Sequence, residues 1–209
     1  SCCPAWSVMA KKLFPEQANC ISMALTPMTL TARLIKHHQP GAKVAFIGPC
    51  AAKKLEAMRR TVRSEVDFVL TFEEMAGIFE ARHIDVNTLK EDPHGVNDAS
   101  ADGRNFAVSG GVAQAVVNVI KEKYPDREIK VANAEGLSEC RKLMMMAKAG
   151  KYNGYLLEGM ACPGGCVAGA GTMQSIKKSS VAVNMYAKQA EHQVATGTHH
   201  VAELDKLVD

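Results

Sequence analysis

Thiols are the residues here whose types and spacing could do chemistry. The chain carries seven cysteines, and two of them form a C-x3-C pair, Cys162 and Cys166, inside Glu158-Gly159-Met160-Ala161-Cys162-Pro163-Gly164-Gly165-Cys166. Two further sites lie upstream: Ser1-Cys2-Cys3-Pro4-Ala5-Trp6 and Gly48-Pro49-Cys50-Ala51-Ala52-Lys53-Lys54-Leu55-Glu56. At each site a cysteine stands beside proline at a turn. Thiolates are soft ligands that select zinc, Cu(I) or iron–sulfur clusters. Zinc sites usually show two close pairs, whereas this chain has one close pair and two distant single sites. Thiolates gathered from three loops suit a cubane cluster better than a zinc knuckle. Glycines at 159, 164, 165, 169 and 171 let the backbone approach a bulky inorganic ligand and offer N–H groups to its sulfurs. Cys20 and Cys140 have neither Pro nor Gly beside them and read as small buried hydrophobes. His37-His38 and His199-His200 read as solvated or helix-end residues rather than ligands.

The rest of the composition narrows the class. At 209 residues, 47% of them hydrophobic, the chain is long enough for one core or two small lobes. A net charge of +3 and 5% aromatics give no basis for nucleic-acid binding. Lys53, Lys54, Arg59, Arg60 and Arg63 read as a solvated helix face. No apolar run approaches the roughly 20 residues of a membrane span, and no signal peptide is visible. An odd cysteine count without secretory context favours metal binding over disulfides.

The elements that must position these thiols alternate. Pro4 opens a helix to about Leu13, and residues 16–25 form a connection with Cys20 and Ser22. Thr26-Pro27 starts a helix to His37 or His38. A short buried strand, 42–47, delivers Cys50, and a charged helix follows through Arg60. A strand at 66–70 leads to the capping box Thr71-Phe72-Glu73-Glu74 and a helix to about Arg82. Residues 85–105 read as a surface loop. Phe106–Gly111 leads into a helix from Val112 to Lys123. A strand (128–132), a helix (138–149) and a strand (155–157) reach the C-x3-C loop, and helices at 179–194 and 200–208 close the chain. The pattern is α/β with a largely parallel sheet, in which sites gather at the carboxyl ends of strands. Cys50 and Cys162 each follow a strand and can share one crevice.

Read together and in this order, the three cysteine stretches resemble the signature motifs of the catalytic domain of iron-only ([FeFe]) hydrogenases, and Phe106–Val112 resembles a family segment that precedes a helix near the cluster. The resemblance covers nearly the whole chain. It implies a two-lobed fold with mostly parallel sheets flanked by helices and a cluster in the cleft between lobes. It also implies an H-cluster: a [4Fe–4S] cubane joined through one cysteine to a di-iron unit with CO, cyanide and an azadithiolate. Cys3, Cys50, Cys162 and Cys166 would bind the cubane, with Cys166 as the bridge. Lys53 would hydrogen-bond a cyanide, Met160 would pack beside the di-iron unit, and Glu56 closes the second motif. Cys2 would donate and accept protons, Ser22 would belong to the proton relay, and Phe106 would lie near the cofactor. The adjacency of Cys2 and Cys3 agrees, since neighbours cannot easily both point at one cubane. The implied reaction is the reversible conversion of two protons and two electrons to H2. The implied partners are ferredoxin or attached iron–sulfur domains and the H-cluster maturation proteins, with a cytoplasmic location in an anaerobe.

The chain departs from the family at Gly48, where a methionine is usual, at Ala168–Met173, where glycines and a glutamine are usual, and at Met28, where many members have glutamine. These departures resemble less-studied and sensory branches. The expectation is a catalytic domain, residues 1–209, lacking its N-terminal part. The competing readings are an iron–sulfur assembly protein of the Narf/Nar1 type, with a cubane and no di-iron unit, and a sensory hydrogenase that signals the H2 level.

Overall fold

The computed structural model describes residues 2–90 and 98–204. Proline and hydroxyl signals set the first elements. Pro4 occupies the first turn of α1 (Pro4–Leu13), with Cys3 in extended conformation at its N-cap. A 3-10 turn (Pro15–Cys20) follows, where the sequence suggested an irregular connection. It leaves Cys20 exposed, which corrects its reading as a buried hydrophobe; Cys140 is buried as expected. α2 (Pro27–His38) is capped by Thr26 Oγ1, which accepts from Thr29 N at 3.4 Å.

Two parallel ribbons carry the site. β1 (Ala45–Gly48) pairs with β2 (Phe68–Thr71), with Ala45 opposite Phe68 and Gly48 opposite Thr71. Between them runs α3 (Ala52–Met58). β1 is shorter than expected and less buried: Ala45 and Ile47 are exposed, and so is Phe68 on its partner. Thr71 then opens α4 (Phe72–Ala81) with both halves of the capping box formed. Glu74 N donates to Thr71 Oγ1 at 3.1 Å, and Thr71 N donates to Glu74 Oε2 at 2.8 Å.

Of the stretch 85–105, residues 91–97 lie outside the described residues. The remainder is not all loop. Ser100 Oγ accepts from Gly103 N at 3.1 Å and starts the short helix α5 (Ala101–Arg104). Asp102 anchors it from below, accepting from Asn118 Nδ2 at 2.9 Å. α6 (Gly111–Lys123) follows.

The second ribbon joins β3 (Lys130–Glu135) to β4 (Tyr155–Met160), with α7 (Leu137–Lys148) as the crossover. β4 runs three residues beyond the expected end, through Glu158-Gly159-Met160, because these residues pair with Asn133, Ala134 and Glu135 of β3. α8 (Ile176–Ala187) ends earlier than expected. His192 and Gln193 instead give their carbonyls to the N–H groups of Ala101 and Asp102, at 2.8 and 3.1 Å, so the chain must be extended there. α9 (Val201–Leu204) closes the described chain.

The protein is therefore α/β, with short parallel sheets flanked by helices. A core cluster of Cys3, Trp6, Ala10, Phe14, Ile21, Cys140, Met144 and Met160 packs α1 and α7 against the end of β4. At about 25 cal/mol per Å² of apolar area, such packing is the main force holding the cysteine loops in place. Among the described residues, no helix is long and apolar enough to cross a membrane.

Candidate metal centre

Three chain turns converge on one cavity of ≈ 170 Å³. Cys2 and Cys3 reach it from the mouth of α1, Cys50 from the turn between β1 and α3, and Cys162 and Cys166 from the loop after β4. Lys53 and Met160 line it too. Seven of the ten site residues expected from sequence thus line one cavity: Cys2, Cys3, Cys50, Lys53, Met160, Cys162 and Cys166. Glu56 stands directly behind Lys53. Phe106 is half-buried in a 3-10 turn (Asn105–Ala107) that packs on the turn opened by Cys166, and does not line the cavity. Ser22 is exposed, accepts from Ala24 N at 3.3 Å, and is not part of the cavity wall.

Glycine makes the convergence possible. Gly165 has φ 95°, and a Cβ there would fall 2.6 Å from Ser109 N and 2.7 Å from Ala107 O. A Cβ at Gly169 would enter the Pro49 carbonyl group. Through this close approach Gly171 N donates to Pro49 O at 2.9 Å, locking the Cys166 loop onto the Cys50 turn. Ser109 N donates to Gly164 O at 3.1 Å and holds the same loop from the other side.

Lys53 is the charged residue of the wall. Its ammonium donates to the Cys2 carbonyl at 3.2 Å and to Glu56 Oε2 at 2.6 Å. The two side chains are 9% and 6% exposed, so this is a buried ion pair. It corrects the reading of Lys53 as part of a solvated helix face, while Arg60 and Arg63 are exposed as expected.

Glu158 is a residue that sequence reasoning passed over. It is buried, and its two carboxylate oxygens accept from Gly110 N and Ala113 N, both at 2.6 Å. It thereby caps α6, whose N-terminal donors have no partners within the helix. The available signal was a lone carboxylate in the apolar run Tyr155–Met160.

The electrostatics suit a cationic guest. Burial pushes the Cys166 thiol up to about 12, and neighbouring Cys2, Cys50, Cys3 and Cys162 add to the rise. Cys162 is raised by burial and by Cys50 and Cys3. Burial likewise raises Cys2, with Cys3 adding and Lys53 opposing. The thiols are close enough to resist joint ionisation, and a cationic group bound among them removes that penalty. The spacing excludes a ready-made single-ion site. A tetrahedral zinc holds its sulfurs about 3.8 Å apart. Among the described residues, the one group of three ligand side chains with atoms within 4.8 Å of one another is Asp98, His199 and His200, outside this cavity. Five thiols around a cavity of this size fit a larger iron–sulfur unit.

The comparisons with known proteins agree. The family described as "Iron only hydrogenase large subunit, C-terminal domain" matches residues 1–170, and the chain belongs to it. The periplasmic [Fe] hydrogenase large subunit of Nitratidesulfovibrio vulgaris is 30% identical over 82% of this chain and 50% of its own length. A probable cytosolic Fe-S cluster assembly factor of Drosophila virilis is 28% identical over 81% of this chain and 46% of its own. Among solved structures, the [FeFe]-hydrogenase HydA1 from Chlamydomonas reinhardtii shares the fold, with a TM-score of 0.76 at 21% identity, covering 100% of this chain and 71% of that one. The chain spans about half or less of the length of the curated relatives it matches.

Proposed function

We propose that this chain is the cofactor-holding part of an [FeFe] hydrogenase. Cys3, Cys50, Cys162 and Cys166 would hold a [4Fe–4S] cubane, and Cys166 would also hold a di-iron unit carrying CO, cyanide and an azadithiolate. When bound, that cofactor supplies the redox and hydride chemistry of reversible H2 formation from protons and electrons. The observation that supports this reading is a fifth thiol. Cys2 lines the same cavity as the four ligands and is more than a cubane needs.

The roles of the chain's own groups follow from their positions. Cys2 Sγ holds a proton inside the cavity and is the general acid and base there. Two of the three donors of the Lys53 ammonium go to Cys2 O and Glu56, and the third would be available to an anionic ligand of the bound cofactor such as cyanide. Glu56 holds that ammonium in place. Met160, 1% exposed, keeps water from the inner wall. Phe106 supports the Cys166 turn from behind. Ser22, on the surface, would belong to the proton relay by its match to the family's relay serine. Electrons would come from ferredoxin or attached iron–sulfur domains, and maturation proteins would deliver the di-iron unit.

The second reading is an assembly protein holding the cubane alone, favoured by the similarity to Fe-S assembly factors. Expression of the protein with the maturation machinery separates the two. The hydrogenase reading expects CO and cyanide infrared bands and about six irons at this site. The assembly reading expects no such bands and about four irons. Matured protein without the bands sinks the first reading.

A further inference from the structure

A second constellation of ligands lies away from the cysteines. Asp98, His199 and His200 bring one ligand atom each to within 4.8 Å of one another. None of the three lines the thiol cavity. The sequence alone suggested only solvated histidines here. We propose that these three residues form a binding site for a single borderline divalent cation, Zn2+ in the first instance.

The donor set is two imidazoles and a carboxylate, the chemistry that zinc selects. The spacing supports it. His200 Nε2 lies 3.3 Å from Asp98 Oδ2. That is long for a charge-assisted N–H···O contact, which runs about 2.7–2.9 Å. It matches the ligand-to-ligand edge of a zinc tetrahedron, about 3.3–3.4 Å for bonds of about 2.0–2.1 Å. His199 sits beside it, ring centroids 3.9 Å apart and tilted by 42°. The rings therefore present their nitrogens to one region without stacking flat.

The other ring nitrogen of His200 is also provided for. His200 Nδ1 lies 3.6 Å from Glu203 Oε2, and that same oxygen lies 3.3 Å from His38 Nε2 at the end of α2. A metal-bound histidine usually directs its second nitrogen at a carboxylate, which fixes the ring and strengthens it as a ligand. Glu203 is placed for this, and His38 holds Glu203. Three protein ligands leave a fourth position for water, as suits a site whose Asp98 and His199 are exposed. The bound cation would tie the turn before α9 to the segment before α5, about a hundred residues earlier in the chain.

This site does not depend on the nature of the cysteine-bound cofactor. The test is a Co2+ titration of the full chain with its cysteines carrying their iron–sulfur cluster. We expect one Co2+ per chain with tetrahedral d–d absorption and no thiolate charge-transfer band, displaced by Zn2+. His200→Ala and Asp98→Asn should each weaken binding about tenfold or more, with metal-free unfolding curves unchanged. Glu203→Gln should weaken it about 10–100-fold. Binding that shows only thiolate charge transfer, or that survives intact in His199→Ala and His200→Ala, overturns the proposal. If a variant unfolds, zinc-induced shifts of the His199 and His200 ring resonances in the native chain decide instead: shifts support the site, and their absence refutes it.

Discussion

Lys53 Nζ lies 2.6 Å from Glu56 Oε2 one helical turn away, and both side chains are almost wholly withdrawn from solvent. Two buried charges of this kind depend on one another. Removing either leaves an uncompensated charge beside the thiol cavity, which costs about 3–5 kcal/mol. We expect Glu56→Ala to lower stability by that amount in urea unfolding. The double change Lys53→Met with Glu56→Leu should restore stability and, on the hydrogenase reading, no H2 activity. A single variant as stable as wild type would show that water reaches the pair.

Gly159 and Trp6 share one space. A Cβ at position 159 would collide with the Trp6 indole nitrogen, which is buried without a hydrogen-bond partner among the described residues. Gly159→Ala should therefore cost about 1–3 kcal/mol through overpacking. Trp6→Phe removes the colliding edge and should recover part of that loss in the double variant. A double-mutant cycle reads the coupling, and strict additivity of the two changes would contradict the arrangement.

The five cavity thiols are expected to divide by role. Cys162→Ser should lose the cluster, seen as loss of bound iron and of iron–sulfur absorbance. On the hydrogenase reading, Cys2→Ala should keep the cluster and lose H2 turnover by about 10²–10⁴-fold, the usual worth of a positioned acid or base. Parallel loss of iron in both variants would put Cys2 among the ligands.

The raised thiols give the metal-free protein a pH signature. Burial pushes the Cys166 thiol from its ordinary 9.0 up to about 12 in the folded chain. Between these values the unfolded chain releases a proton that the folded chain retains. The folded state then binds more protons, so stability falls as pH rises. Below pH 9 the contribution is complete; it is lost progressively toward pH 12. Unfolding midpoints of wild type should decline across that window more steeply than those of Cys166→Ser. Equal slopes would mean that the thiol is not held in its neutral form.

Much of this arrangement was legible because its causes are local. Thr26-Pro27 and Thr71–Glu74 announce helix starts through groups a few residues apart, and both starts are where the sequence places them. The thiol turns were legible for a similar reason: proline and glycine punctuate them. What was hidden depends on distant partners. Gly159 reads as loop, but pairing with Ala134 makes it strand. The end of α8 is set by the N–H groups of Ala101 and Asp102, which no local pattern reveals. Ile47 reads as part of a buried strand, but it is exposed, as is Phe68 on the paired strand, so one face of their ribbon is open among the described residues. Lys53 looked like one more cation in a basic run, although Glu56 three residues on was the available hint of a buried pair.

Both ribbons are parallel, so each needs a full crossover before its strands can meet. The first thiols of the site stand at the start of the chain, and the last stands beyond the second crossover. No local hairpin can assemble a partial version of the cavity. Closure of the cavity must therefore wait until residues 2–170 have been made and folded. In that interval several cysteines stand unprotected, and the rate of folding sets how long oxidants can reach them.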